Sequence, residues 1–352
     1  MEEKHSNRLL IIIIIALVIW NIFLTVSLAD RRPNNPNQQE NVTNVSVTGF
    51  STDLSNVVAS CSDATVAISS GSNISSGFIF RSLEDRFYVV TTYHTIVDDK
   101  ATVLLDNFTK LEATVKGHDL YSDIAVLEVM SNYEVETVKL GDSDLLKAGE
   151  FVILLGTSNN FEYANIPEVA MVANPLKTIN NVFSHEGSTH TNYLCCIQLS
   201  NNLQSTYSGS GVFNMNGELV GIATNKSSPN ESNALTINEL KKIAEDIISD
   251  GVVSKRLLGI KGTYVSSMPS YLKSNLGINI EQLNGLYVEN VLANSLANVF
   301  GINNGDLIVS INGKTITDFS SYLDVIYSKD SEYDFEIVRN GENISIKEVV
   351  ND

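Results

Sequence analysis

Three short stretches of this chain hold the residue types that acyl-transfer chemistry requires. In Tyr88-Val89-Val90-Thr91-Thr92-Tyr93-His94-Thr95-Ile96-Val97 a histidine directly follows an apolar, strand-like run. In Tyr121-Ser122-Asp123-Ile124-Ala125-Val126-Leu127-Glu128 an aspartate opens another. In Thr206-Tyr207-Ser208-Gly209-Ser210-Gly211-Val212-Phe213 a serine sits in a glycine-containing turn ahead of Val212-Phe213. Hydrolysis through an acyl intermediate needs a nucleophile, a base to take its proton and a group to orient that base. Each context alone has a plainer reading: a histidine after a strand is usually structural, and aspartate, serine and glycine are common in turns. Together, in the order His94, Asp123, Ser208, they form a candidate nucleophilic constellation.

Other chemistries find little support. His185 and His190 bracket Glu186 without the i, i+4 spacing of a helical zinc pair, and His118 stands alone. There is no glycine loop of the phosphate-binding kind, so no metal or cofactor is expected. The three cysteines, Cys61, Cys195 and Cys196, do not form a disulfide framework or a zinc pattern and read as small buried apolar residues. With 23 Lys+Arg against 41 Asp+Glu, the formal net charge is -18. Phosphate backbones need clustered cations, so nucleic acid is excluded as a partner, and adhesion to anionic lipid headgroups is disfavoured.

The elements that must position these residues are legible in outline. A chain of 352 residues exceeds one ordinary core, so two folded domains with additions are expected. After an N-terminal tail (1–8), residues 9–28 form a mostly apolar run. As a helix it would rise about 30 Å, the thickness of a bilayer's hydrocarbon core. That predicts a transmembrane anchor. The competing reading is a cleaved signal peptide, for which Ser27-Leu28-Ala29 offers a small-residue site. Lys4 and Arg8 before the span and Arg31 and Arg32 after it leave its orientation undecided. Residues 29–46, rich in Asn, Pro and Gln, read as a flexible linker.

From residue 47 to 235, short apolar runs separated by Gly, Asn, Asp and Ser predict a β-rich domain, with strands at 77–80, 87–91, 101–105, 124–129, 151–155 and 219–223. Residues 236–254 read as a linker helix. Ile237, Leu240, Ile243, Ala244, Ile247 and Ile248 recur at helical spacing, Thr236 and Glu239 suggest a capping box, and Gly251 is placed as the stop. Residues 255–352 alternate strand-like runs with helical stretches near 295–300 and 320–328, and Asn312-Gly313 and Asn340-Gly341 signal hairpins. This is a small α+β module.

The order and spacing of His94, Asp123 and Ser208 are those of a two-barrel serine protease, and the surrounding segments make the resemblance specific. The stretch Phe87 to Val129 resembles the histidine and aspartate strands of the HtrA family. Leu140-Gly141-Asp142-Ser143-Asp144, followed by Gly149-Glu150-Phe151-Val152, resembles that family's inter-barrel segment. Asn216 to Thr224 resembles the hairpin after its nucleophile, and Ser76-Gly77-Phe78 its early glycine-containing strand. Leu257-Leu258-Gly259-Ile260 is similar to the carboxylate-binding loop of HtrA-type PDZ domains, and Asn303 to Gly313 to their core signature. The resemblance covers nearly all of the chain after the linker.

It implies a mostly β fold, a two-barrel trypsin-like protease domain plus an α+β PDZ domain, here preceded by the one transmembrane helix read from residues 9–28. It implies Ser208 as nucleophile, although Ser210 in a poorer register is an alternative. His94 is implied as the base and Asp123 as its orienting group, with the backbone N–H groups of Thr206 and Ser208 forming the oxyanion hole. It also implies peptide binding through Leu257, Leu258, Gly259 and Ile260, protein or peptide substrates, and assembly as a homotrimer. A membrane-held enzyme acting on misfolded or regulatory proteins outside the cytoplasm follows as the expectation. The family usually has Gly two residues before the nucleophile and Asn or Asp one before it, where this chain has Thr206 and Tyr207. A β-branched Thr avoids backbone conformations that Gly reaches. A catalytically impaired protein acting as a PDZ peptide-binding holdase is therefore the alternative expectation.

Overall fold

The structure, a computed structural model, describes Trp20 and residues 47–105, 108–159, 161–185, 188–224 and 231–350. The expected anchor at 9–28 and linker at 29–46 lie outside the described residues apart from Trp20. Among the described residues no helix is long and apolar enough to cross a membrane. Contacts divide the chain between Gly49 and Phe50, and the second unit, Phe50 to Asp352, contains both barrels, the connecting helix and the C-terminal sheet.

Where the sequence pattern suggests only strands from residue 47 on, the chain first forms a helix, α1 (Val47–Ser62). Leu54, Val57, Val58 and Cys61 recur at i, i+3, i+4 and i+7, which gathers them on one face. Val57 and Cys61 are buried in the core shared by the two barrels, with Phe213, Leu219 and Ile222.

Six antiparallel strands then close a barrel: β1 (Thr65–Ser70), β2 (Asn73–Ser82), β3 (Arg86–Thr92), β4 (Lys100–Leu105), β5 (Thr109–Asp119) and β6 (Ile124–Met130), in the order β1-β2-β3-β6-β5-β4. Alternation sends Val66, Ile68, Ile79, Phe87, Val89 and Leu127 inward as its core.

The second set comprises β7 (Lys139–Leu140), β8 (Phe151–Gly156), β9 (Ile166–His185), β10 (Ser188–Leu199), β11 (Gly211–Phe213), β12 (Glu218–Thr224) and β13 (Ser232–Thr236). Its order is β11-β8-β9-β10-β13-β12-β7, and β11 also pairs with β12, which closes the circuit. The β9–β10 hairpin is the longest among the described residues, and Leu176 and Cys195 on it pack against the C-terminal domain.

Helix α2 (Ile237–Asp250) follows, with Ile237, Leu240, Ile243, Ala244 and Ile247 buried. Burying each leucine or isoleucine contributes about 1.5–3 kcal/mol, before ordering costs. Gly251 adopts φ 78° and ends the helix. The capping box does not form: Thr236 is the N-cap but makes no side-chain cap bond. Glu239 is instead turned inward, where its carboxylate accepts from the Tyr327 hydroxyl at 3.2 Å.

The C-terminal sheet runs β14 (Ile260–Tyr264), β15 (Leu286–Val291), β16 (Leu307–Ile311), β18 (Glu332–Arg339) and β19 (Glu342–Val349), with β17 (Lys314–Thr315) paired to β16. Helices α3 (Ser270–Asn275), α4 (Leu296–Val299) and α5 (Phe319–Ile326) accompany it. Asn312-Gly313 and Asn340-Gly341 have positive φ at both positions, as two-residue hairpin turns require.

Candidate active site

Strand β3 carries Thr91 and Thr92, both buried, at its end and runs into a short 3-10 turn, Tyr93–Thr95, which carries His94. Asp123 stands at the entry to β6 with φ 65°, a left-handed conformation that costs a non-glycine residue energy and is held by its surroundings. The Tyr93 N–H donates to the Asp123 carbonyl at 2.8 Å, which ties the two turns together. The 3-10 turn Ser205–Tyr207 and β11 hold Ser208 from the second barrel.

These three side chains meet across the cleft between the barrels. Asp123 Oδ2 lies 2.6 Å from His94 Nδ1, and Asp123 Oδ1 accepts from the His94 backbone N–H at 2.9 Å. The Thr224 hydroxyl donates to Oδ2 at 3.2 Å. A carboxylate 2% exposed is thus met by three donors, which is what a buried charge needs. Because Nδ1 faces the carboxylate, it carries the proton, and Nε2 is left as the acceptor. Nε2 lies 3.2 Å from Ser208 Oγ. Thr92 Oγ1 is 3.0 Å from Ser208 Oγ and can donate to it when the serine donates to the imidazole. The His94 side chain is 38% exposed, so the cleft remains open to a second reactant. Ser210, by contrast, is buried, and its hydroxyl has no hydrogen-bond partner.

The loop before Ser208 is fixed from both barrels. Ser76 Oγ donates to the Thr206 carbonyl at 2.7 Å, and the Ser76 N–H donates to the Ser208 carbonyl at 3.0 Å. Gly209 has φ 85°, and a Cβ there would lie 2.1 Å from the Ser76 carbonyl oxygen, so only glycine fits. The Tyr207 ring is buried over Gly156, where a Cβ would come within 2.5 Å of it, and its hydroxyl donates to the Ile166 carbonyl at 3.2 Å.

Of the two backbone donors expected for the oxyanion hole, one is engaged internally. The Ser208 N–H donates to the Ser205 carbonyl at 3.0 Å, closing the 3-10 turn over Thr206 and Tyr207. In this conformation the Ser208 N–H is not free to donate to a substrate oxyanion. The sequence shows two unusual residues here. It does not show the direction in which the Ser205 carbonyl points. Thr92, Thr224 and Ser205 are the site residues that sequence reading missed. Threonines at strand ends carry no distinctive signal until the fold brings them to a carboxylate or a hydroxyl.

Beside the C-terminal sheet, β14 is an edge strand, and a cavity of about 320 Å³ lies between it, α5 and the second barrel. Gly262, Tyr264 and Tyr322 line it from one side, Asp144, Asn174 and Leu176 from the other. Leu257, Leu258, Gly259 and Ile260 form the turn leading into β14 and line a smaller hollow with Tyr121 and Glu239. The Leu258 and Gly259 carbonyls accept from the Ala297 and Leu292 N–H groups, which fixes this turn against α4.

Comparison with known proteins agrees with this architecture. Residues 75–222 match the trypsin-like peptidase domain family, and residues 264–332 match the PDZ domain family. The chain is 28% identical over 283 residues to the serine protease Do-like HtrA of Lactobacillus helveticus, covering 77% of this chain and 67% of that protein. It is 30% identical over 259 residues to the serine protease Do-like HtrB of Bacillus subtilis (strain 168), covering 72% and 56%. It is 31% identical over 245 residues to the periplasmic serine endoprotease DegP of Escherichia coli (strain K12), covering 67% and 48%. The chain therefore spans roughly half to two thirds of the length of these relatives. Among solved structures, the HtrA-type protease AlgW with tripeptide superposes with a TM-score of 0.57 at 21% identity, over 83% of this chain and 95% of that one, which shows the shared fold. Fold and matched families define a trypsin-like peptidase domain joined to a PDZ domain. Within that class the chain is HtrA-like, a trypsin-like peptidase domain followed by one PDZ domain.

Proposed function

We propose that this chain is a serine endopeptidase in which Ser208 attacks the scissile carbonyl, His94 takes the serine proton and returns it to the leaving amine, and Asp123 holds the imidazole and stabilises its charged form. The single observation that carries this reading is the hydrogen-bonded line from Asp123 through His94 to Ser208. Misfolded or regulatory proteins are the substrates, and peptide C-termini bind the PDZ domain at Leu257, Leu258, Gly259 and Ile260, with the edge strand β14 accepting an added strand. The apolar run at 9–28 anchors the chain in the membrane with both domains on the extracytoplasmic side, and the chain assembles as a homotrimer. The backbone N–H groups of Thr206 and Ser208 form the oxyanion hole once the Ser205–Tyr207 turn unwinds. Removing one such donor costs about 10²–10³ in rate, so the closed turn holds activity low.

One observation favours a second reading. The Ser208 N–H is already bound to the Ser205 carbonyl, as in a catalytically silent protein that retains only peptide binding. Fluorophosphonate labelling of the full chain, with and without a peptide bearing a free C-terminus, separates the two. The endopeptidase reading expects labelling that disappears in Ser208→Ala. Absence of labelling under both conditions would establish the silent, peptide-binding protein.

A further inference from the structure

A buried ionic cluster joins the end of β5 to α2 and the segment after it. Lys255, in the segment after α2, is 6% exposed at its side chain, and its ammonium lies 2.6 Å from Asp119 Oδ2. The same ammonium sits 4.3 Å from the centre of the Tyr121 ring and 3.9 Å from Glu239 Oε1. Asp119 ends β5, three residues before Ser122. Its carboxylate accepts from the Ser122 N–H at 3.1 Å and from the Ser122 hydroxyl. Ser122 is fully buried and is followed directly by Asp123, whose φ of 65° no regular element enforces. On the neighbouring residue, the His118 ring stacks on Tyr93 with centroids 3.9 Å apart and planes 6° from parallel. The end of β5 thus braces both turns of the site: His118 supports the one bearing His94, Asp119 the one bearing Asp123.

We propose that Lys255, Asp119 and Ser122 are positioning residues for catalysis, a strut that holds the Asp123 turn in register with His94 and ties it to the linker between the two domains. The proposal deepens the endopeptidase reading and rests on it for its kinetic arm. An unpaired carboxylate cannot stay where Asp119 is, because burial alone would drive it to protonate or to leave. Burial does work to raise its pKa, yet the Lys255 charge and the Ser122 donors outweigh this and hold it below the ordinary carboxylate value. With Lys255 in place Asp119 stays charged, and a charged acceptor grips two Ser122 donors firmly. Without it the grip is lost, and the turn keeps only its ties from the Tyr93 N–H to the Asp123 carbonyl and from the Asn181 amide to the Tyr121 carbonyl.

The test uses the full chain and three variants: Lys255→Met, the double variant Asp119→Leu/Lys255→Met, and Lys255→Arg. Replacing a buried ion pair by apolar residues of similar volume is often neutral or stabilising. The double variant removes both charges and should therefore regain part of the melting temperature that Lys255→Met loses, the two Ser122 donors staying unpaired. It should not regain function. Fluorophosphonate labelling of Ser208 should be slower in Lys255→Met and in the double variant by roughly ten- to hundredfold, the scale of loss that a misplacement of about 1 Å brings. In casein hydrolysis the loss should fall on kcat with KM unchanged. The low-field NMR resonance of the His94 Nδ1 proton, which reports its hydrogen bond to Asp123, should move upfield in both, and Lys255→Arg should keep it near its wild-type position. A double variant that recovers the resonance and the labelling rate along with stability would reduce the strut to packing and overturn the proposal. A wild-type chain that never labels, but whose His94 resonance moves as described, would uphold the strut and remove the endopeptidase reading instead.

Discussion

At the scale of single residues, Thr206 sits at the centre of the turn that holds the Ser208 N–H. The Ser205–Tyr207 turn has a helical backbone that a β-branched residue accepts, and unwinding it requires the peptide before Thr206 to rotate. Glycine adopts both states more readily. Thr206→Gly should therefore raise the fluorophosphonate labelling rate several-fold, and an unchanged rate would show that Tyr207, bolted over Gly156, controls the turn. Thr224 offers a second measure. Its hydroxyl donates to the Asp123 carboxylate, and a hydrogen bond to a charged group contributes about 1.5–3 kcal/mol. Thr224→Val, similar in volume, should lower kcat by roughly ten- to hundredfold with little change in KM, as steady-state hydrolysis of casein would show.

At the scale of elements, α2 does more than connect two domains. Leu240 is fully buried in the core that joins the barrels, and Gly117 on β5 approaches the end of α2 so closely that a Cβ would lie 2.2 Å from the Gly251 carbonyl oxygen. Leu240→Ala should cost about 2–5 kcal/mol, the range for cavity-forming truncations. Urea unfolding followed by tryptophan-independent circular dichroism would measure it. A loss under about 1 kcal/mol would mean the core collapses around the gap. Much of this helix is legible in its sequence because its apolar period and Gly251 are local signals. Its N-cap is not: Glu239 has a capping residue's spacing, but tertiary contacts with Lys255 and Tyr327 draw it away. Helix α1 shows the reverse case. Its i, i+3, i+4, i+7 pattern is present at Leu54 to Cys61, but a neighbourhood of strand-like runs hides it.

At the scale of the whole molecule, one ammonium serves two buried carboxylates from different parts of the chain. Burial raises the Glu239 pKa, Lys255 opposes this, and Asp119 adds to it, leaving the net value above the ordinary 4.5. A carboxyl whose folded pKa is raised favours the protonated fold. Its contribution to stability is complete below the unfolded value and is lost as pH rises through the folded one, by about 1.4 kcal/mol for each unit of displacement. Asp119 has the opposite sign, and its contribution is lost only as pH falls below the ordinary 3.8. Glu239→Gln should therefore melt higher than the wild type at neutral pH, with the difference shrinking as pH is lowered toward 4.5. Differential scanning calorimetry across that window would record it, and a constant difference would remove Glu239 as the cause.

The sequence by itself determined several of the strands that frame the cleft, among them β2, β3, β6 and β8, the apolar face and glycine stop of the linker helix, and the order of His94, Asp123 and Ser208 along the chain. These rest on local signals: alternation, helical period, turn chemistry and short motifs. The tertiary structure alone decided the rest. Thr92 and Thr224 reach Ser208 and Asp123 only because strands from two barrels converge. Lys255 finds Asp119 across 136 positions of chain. The Ser205 carbonyl takes the Ser208 N–H because a backbone rotation, fixed by Ser76 from one side and Tyr207 from the other, depends on contacts that no run of neighbouring residues encodes.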